Sequence, residues 1–189
     1  YEMNGAGFHT LPTFAVVPAM KVIFDGFKRG DKAPGMNYGF ERVLHGEQYT
    51  EVKRPLPSRA KLRHEVKCKD VYDKGKNAIV ITGITSYDEN GEELAYNEVS
   101  TVVRGAGGFG GDRGPSADIN VPPERAPDAV VEEKTHENQA LLYRLSGDIN
   151  PLHADPAFAQ GFGFDKPILH GLCTYGFAAR AVIRAYCKG

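Results

Sequence analysis

Leu62-Arg63-His64-Glu65-Val66-Lys67-Cys68 is the stretch from which the fold class can be read. Leu62, His64, Val66 and Cys68 alternate with Arg63, Glu65 and Lys67, the period-two pattern of a half-exposed strand. Downstream, Asp73-Lys74-Gly75-Lys76-Asn77 reads as a turn, and Ala78 to Tyr87, rich in Ile, Val and Thr, predicts a more buried strand. Asp88-Glu89-Asn90-Gly91 is a hairpin signal, because Asn-Gly tolerates positive φ. Leu94 to Val103 closes an antiparallel meander of at least three long strands within residues 49–104. Upstream, Val43-Leu44-His45-Gly46-Glu47-Gln48-Tyr49 is the first compact stretch of mixed polarity. Residues 1–40 are so often broken by glycine and proline (Gly5, Gly7, Pro12, Pro18, Gly26, Gly30, Pro34) that only short elements are expected there.

Beyond the meander the pattern changes. Residues 105–128 open on Gly105-Ala106-Gly107-Gly108-Phe109-Gly110-Gly111 and end among Pro122, Pro123 and Pro127, as a linker between lobes 1–104 and 129–189 would. Thr135 is a candidate cap for a helix running through Leu145. Gly171 to Cys187 is the strongest helix prediction. Leu172, Tyr175, Ala179, Val182, Ile183 and Tyr186 recur at three- and four-residue spacing, and small residues allow close packing on a sheet. Apolar-Leu-His-Gly followed by Tyr occurs at residues 43–49 and again at 168–175, a weak internal echo that suggests two related lobes.

Composition narrows the function classes. Lys plus Arg is 23 and Asp plus Glu is 24, so a net charge of −1 gives no global attraction to nucleic acid or acidic lipid. No apolar run is long enough to span a membrane. Cys68, Cys173 and Cys187 are widely spaced, which argues against a disulfide scaffold or zinc ribbon and suits a reducing compartment. The chain begins Tyr1-Glu2-Met3-Asn4, without an initiator Met or a signal peptide, and so reads as a fragment or a processed product.

Three places carry chemistry. Gly105, Gly107 and Gly110 satisfy G-x-G-x-x-G after a strand, but no helix opens there to receive a pyrophosphate, so a flexible loop is expected instead. Ser146-Gly147-Asp148-Ile149-Asn150-Pro151-Leu152-His153 packs a carboxylate, a carboxamide and an imidazole into six residues. Gly147 and Pro151 force an irregular backbone that can turn Asp148, Asn150 and His153 toward one point, the equipment for handling a water molecule. The plainer account is a capping Asp148, a turn Asn150 and an ordinary polar His153. Third, Gly171 stands at the mouth of the last helix, where its amide could donate to an oxygen gaining negative charge. His9, His64 and His136 lack metal-ligand spacing, and His153 and His170 do not form an H-x-x-x-H pair, so no metal is expected. Arg54, Arg59, Lys61 and Arg63 could meet a phosphate-bearing ligand or simply solvate a strand end.

Tyr143 to His153 resembles the hydratase motif of the (R)-specific, type-2 enoyl-CoA hydratases of the MaoC-like family. Lys166-Pro167-Ile168-Leu169-His170-Gly171-Leu172-Cys173-Thr174-Tyr175-Gly176 continues the likeness, as do Val43–Tyr49, Lys53–Pro57 and Gly107–Gly111. Nearly the whole chain is covered, and it is most similar to the hydratase portions of the peroxisomal multifunctional enzymes of type 2.

The resemblance implies an α+β double hot-dog fold, a long helix wrapped by antiparallel sheet, with a degenerate first half and a truncated second. It implies hydration of trans-2-enoyl-CoA to (3R)-3-hydroxyacyl-CoA in fatty-acid β-oxidation, without a cofactor. Asp148 and His153 would be the acid/base pair, Asn150 would position the water, and the Gly171 amide would polarise the thioester carbonyl. His45, Gly46 and Lys74, with Ile149, Pro151 and Leu152, would contact the acyl-CoA, and Glu2 matches an acidic residue of functional weight. A homodimer, fusion to dehydrogenase or sterol-carrier-like domains, and a peroxisomal location in a eukaryote (cytoplasmic in a bacterium) are implied as well. A dehydratase or thioesterase on the same fold, a non-catalytic acyl-CoA module and, remotely, a nicotinamide oxidoreductase are the rival readings. The family carries strands after the last helix, so Leu172, Val182 and their neighbours are expected to face water. Six or so such side chains forfeit on the order of 10 kcal/mol of burial, comparable to a whole domain's net stability. The folding unit is therefore expected to be longer, or to be completed by another chain.

Overall fold

The computed structural model describes residues 10–116 and 121–187. Four strands, β1 (Val43–Val52), β2 (Arg63–Asp73), β3 (Ala78–Tyr87) and β4 (Glu93–Val103), form one antiparallel sheet in the order β1-β4-β3-β2. The predicted meander is present, and β1 joins it by pairing with β4, so β3 and β4 lie in the centre. Their burial follows from that position: Ala78, Val80, Ile84, Ala95, Asn97, Val99 and Val103 are buried, whereas β2 is an edge that carries Arg63, Glu65, Lys67 and Lys69.

Helix α1 (Val16–Arg29) lies across this sheet. It corrects the expectation of only short elements before residue 40. Pro12 opens a leading 3-10 helical turn, Pro18 falls in the first turn of α1 where no N–H is needed, and Gly30 (φ 84°) ends it. The Asp31 and Gly30 amides donate to the Gly26 and Phe27 carbonyls, closing the C-terminus. The breakers thus mark the ends of one helix. Ala19 packs with Ile84 and Val99, and Phe27 packs against a cluster that includes Ala33, Tyr38, Ala78, Val80 and Val103. Asn97, buried beneath α1, donates to the Ala15 carbonyl at 3.2 Å and accepts from Thr50 at 2.9 Å.

The glycine-rich segment is fastened rather than loose. The Asp73 carboxylate accepts hydrogen bonds from the Gly75, Gly108 and Gly110 amides, each at 2.8 Å. A Cβ on Gly107 would sit 2.3 Å from the Gly75 carbonyl oxygen, so the close approach itself requires glycine.

Beyond β4 the described residues 105–116 and 121–138 form no helix or strand, and three α-helices follow: α2 (Gln139–Arg144), α3 (Pro156–Gly161) and α4 (Gly171–Tyr186). Helix α2 starts at Gln139 behind Asn138, so Thr135 does not cap it, and it is shorter than predicted. Leu152, Ala159 and Phe162 form a cluster with Leu44 of β1 and Ile168. Arg104 donates to the Phe162 carbonyl at 3.1 Å and lies 4.5 Å over its ring. These contacts dock the second half against the β1–β4 side of the sheet. Only Leu172 and Cys173 in the first turn of α4 are fully buried: Leu172 is 5% exposed, contrary to expectation, whereas Val182 is 56% exposed, as expected. The two copies of the Leu-His-Gly echo fold differently, one as strand β1 and the other as the entry to α4, so the echo is no structural repeat.

Candidate active site

The site grows out of the turn after α2. Gly147 takes φ 110°, a backbone that L side chains rarely adopt, and swings the chain back. Asp148 Oδ1 then accepts the Asn150 amide at 3.2 Å, and Asn150 Oδ1 accepts the Leu152 amide at 3.0 Å. The second bond caps a 3-10 helical turn, Pro151–His153, and leaves the Asn150 amide nitrogen free to donate elsewhere. Asn150, rather than Asp148, is thus the cap, and the turn bonds fix where the Asp148 and Asn150 side chains point. Leu152 is buried and anchors the turn in the apolar cluster.

His153 Nδ1 lies 2.8 Å from the Ile168 carbonyl oxygen. A carbonyl only accepts, so Nδ1 carries the proton and Nε2 presents its lone pair. His170, the residue before α4, stacks on His153 with ring centroids 3.7 Å apart and 28° between planes. Its Nε2–H donates to the Asp148 main-chain carbonyl at 3.3 Å. Gly171 opens α4, whose hydrogen-bond ladder begins with the Cys173 and Thr174 amides on the His170 carbonyl. A Cβ at Gly171 would meet nothing within 4 Å, so neither packing nor backbone strain demands glycine here.

These groups converge on a cavity of about 240 Å³. Asp148, Asn150, His153, Gly171 and His45 line one side, and Met20, Ile23, Phe24 and Phe27 of α1 line the other. A register shift between His45 and Glu47 places a bulge at Gly46, where a Cβ would come 3.1 Å from the Ser100 carbonyl oxygen. Polar groups thus meet a long apolar wall, the composition of a site for a polar head with an apolar tail.

Burial governs the electrostatics. It raises the Asp148 carboxyl above its usual range, although the Asn150 amide and the nearby His153 oppose the rise. It lowers the His153 and His45 imidazoles. His170 is pushed down to about 4, by burial first and then by His153, and so is neutral at physiological pH. Tyr143, whose ring centroid lies 4.8 Å from that of His170, is pushed up to about 12 by burial, with Asp148 adding to the rise. A carboxylate moved up and an imidazole moved down approach one working range, the condition for sharing a proton.

Of the residues singled out from sequence, Asp148, Asn150, His153, Gly171, His45 and Leu152 meet at the cavity. Gly46, Ile149 and Pro151 shape the backbone beside it without lining it. Lys74 sits in the β2–β3 turn, and its Nζ donates to the Pro115 carbonyl at 2.8 Å. That turn is at the same end of the sheet as His45, roughly 10–14 Å across the ladder at about 4.8 Å per strand. Glu2 lies outside the described residues. Arg54 pairs with Asp88 at 2.7 Å and Arg63 lies over Tyr87, at the opposite end of the sheet, so that basic cluster has no part in the site. Sequence reasoning did not single out the His170 ring or the apolar residues of α1 that line the cavity. The only available signals were the Leu-His-Gly echo and the apolar spacing from Met20 to Phe27.

Asp148, His153 and His170 bring one donor atom each within 4.8 Å of one another. Two near-parallel stacked imidazoles hold their lone pairs in adjacent planes, and one nitrogen of each already donates to a main-chain carbonyl. That geometry suits a hydrogen-bonded stack better than a chelate.

Comparison with known proteins agrees with this construction. Residues 1–105 match the family model of the MFE-2 hydratase 2 N-terminal domain, and residues 118–189 match that of the MaoC like domain. The peroxisomal hydratase-dehydrogenase-epimerase of Neurospora crassa is 50% identical over 188 residues, 96% of this chain and 21% of that protein. The peroxisomal enoyl-CoA hydratase 2 of Arabidopsis thaliana is 46% identical over 200 residues, 100% of this chain and 63% of that protein. The crystal structure of a MaoC-like dehydratase from Phytophthora capsici superposes with a TM-score of 0.85 at 35% identity, over 98% of this chain and 65% of that one. The chain therefore spans less than two thirds of the length of these relatives. With its sheet, its covering helix and its Asp-Asn-His turn accounted for, the chain belongs to the MaoC-like hydratase family, an MFE-2 hydratase 2 N-terminal domain followed by a MaoC-like domain on a double hot-dog fold.

Proposed function

We propose that the protein adds water to trans-2-enoyl-CoA to form (3R)-3-hydroxyacyl-CoA. The observation that carries this reading is the single cavity shared by Asp148, Asn150, His153 and the amide-bearing glycine at the start of α4. A thioester whose carbonyl oxygen accepts from the Gly171 N–H presents its α,β double bond to the Asp148–His153 pair. The pair takes a proton from water as the water oxygen bonds to C3. The π electrons move onto C2 and the carbonyl oxygen, and a proton from the pair then settles on C2. Asn150 donates to the water and holds it on one face, which sets the hand of the product. One oxyanion donor lowers such a barrier by about 3–4 kcal/mol, and positioned acid/base groups add roughly 10²–10⁴ in rate.

His45, Gly46 and Lys74 are assigned to the CoA ester, Ile149, Pro151 and Leu152 to the frame around it, and Glu2 to a supporting acidic role. The α1 wall takes the acyl chain. A peroxisomal location in a eukaryotic cell, a homodimer, and fusion to a dehydrogenase belong to the same reading; the name of the Neurospora crassa relative supports the fusion, and both relatives' names support the location. The deciding experiment is chiral analysis of the product formed from trans-2-enoyl-CoA. (3R)-3-hydroxyacyl-CoA supports the assignment. Release of free CoA would mark a thioesterase, and binding without turnover would mark an acyl-CoA module.

A further inference from the structure

His170 has a combination of features that capping does not explain. It is 1% exposed, its side chain makes no capping hydrogen bond to α4, and its Nδ1 is buried without a partner. Caps favour Ser, Thr, Asp or Asn, and a buried unpaired nitrogen is rare enough to require a reason. The reason lies in what the ring touches. One face stacks on His153, and Tyr143 packs against the ring. Its Nε2–H bonds the Asp148 main chain, and the next residue is Gly171.

We propose that His170 is a positioning residue: its ring clamps the His153 imidazole face to face while its Nε2–H holds the Asp148 backbone, so that the acid/base pair keeps one geometry beside the Gly171 amide. The inference rests on the hydratase reading of the site. A flat ring with a single donor meets both demands. A phenyl ring keeps the stack and loses the donor; an asparagine does the reverse. Neutrality is also required, because a charged ring against His153 would repel its protonated form. The groups facing the stack are Asp148 from the turn, Arg144 from α2, His45 from β1 across Asp148, Tyr143 and Cys173.

The test has two arms. In the first, pH profiles of kcat and KM are compared for the wild type, His170→Ala and His170→Phe. Loss of the ring lets water reach His153, so His170→Ala should lower kcat tenfold or more, leave KM within about twofold, and move the acid limb upward by half a pH unit or more. His170→Phe should restore the limb and part of kcat. Equal profiles for all three proteins would overturn the proposal, as would an equal loss of kcat in both variants with the limb unmoved. In the second arm, wild-type protein labelled with ¹⁵N-histidine is followed by NMR, so that no variant need fold. His170 should remain in the neutral Nε2–H form between pH 5 and 8. An Nδ1–H form, or protonation in that range, would overturn the proposal. This readout stands whether or not the protein hydrates enoyl thioesters, so the two conclusions can fail separately.

Discussion

Replacing Asp148 with asparagine should separate stability from chemistry. Burial holds the carboxyl above its ordinary value, so folding favours the protonated group. Below the ordinary carboxylate value the wild type bears no penalty; as pH rises through the raised folded value, the cost of ionising a buried acid is imposed in full. Asparagine never pays it. The substitution also preserves an oxygen for the Asn150 amide, now 3.2 Å from Oδ1. A bond to a charged acceptor contributes about 1.5–3 kcal/mol and one to a neutral acceptor about 0.5–1.5 kcal/mol. The weakened bond therefore loses about 1 kcal/mol, and the relief of desolvation opposes that loss. For a chain of this size 1 kcal/mol is roughly 2–4 °C in Tm, so Asp148→Asn should melt within about 4 °C of the wild type and gain on it as pH is raised from 4 to 7. Its kcat should fall by about 10²–10⁴, or about 3–5 kcal/mol of barrier. The assays are thermal melts across pH and the loss of conjugated-thioester absorbance with trans-2-enoyl-CoA. Turnover near the wild-type rate would refute the chemical role. A Tm drop of about 10 °C or more would refute the claim that this carboxylate is carried at a cost.

Three further outcomes are expected. His153, lowered from 6.5 by burial, must be neutral, and Asp148, raised from 3.8 by burial, must be ionised, so kcat/KM should fall on the acid side with its half-fall above 3.8; a half-fall at or below 3.8 contradicts the raised Asp148 carboxyl. Ile23, Phe27 and Thr101 line both the 240 Å³ cavity and a second one of about 190 Å³ under α1, so Phe27→Ala should join the two and shift kcat/KM toward long or bulky acyl chains by tenfold or more relative to crotonyl-CoA; a parallel change for every chain length counts against that wall. Gly171→Ala puts a methyl where nothing lies within 4 Å, so Tm should hold or rise slightly while kcat/KM falls at least tenfold through crowding of the thioester; unimpaired activity would show that no thioester packs against this position.

The local signals in this chain were read correctly where one short-range cause dominates. Alternation from Leu62 to Cys68, the Asn90-Gly91 turn and the spacing from Leu172 to Tyr186 became strand, hairpin and helix because each is set by neighbours along the chain. The breaker-rich start was misread because position decides what a breaker does. Pro18 at the beginning of α1 and Gly30 at its end support a helix that the same residues would destroy in its middle. Likewise Gly107 looked like slack, whereas its neighbours Gly108 and Gly110 donate to Asp73, a partner that pattern alone does not supply.

For the site, the sequence by itself determined the chemical inventory and its local aim. Asp148 and Asn150 are held by bonds within the same six-residue turn, so the local sequence orients them, whereas the His153 ring takes its aim from the Ile168 carbonyl and from His170. Only the tertiary structure decided what that turn faces. His45 arrives from β1 and the apolar wall from α1, both more than a hundred residues before Asp148, and Gly171 with His170 comes from the start of α4, beyond α3. The physical reason is that a turn is specified by hydrogen bonds a few residues long, whereas the cavity, the stacked ring and the burial that moves both pKa values exist only when distant apolar faces exclude water together.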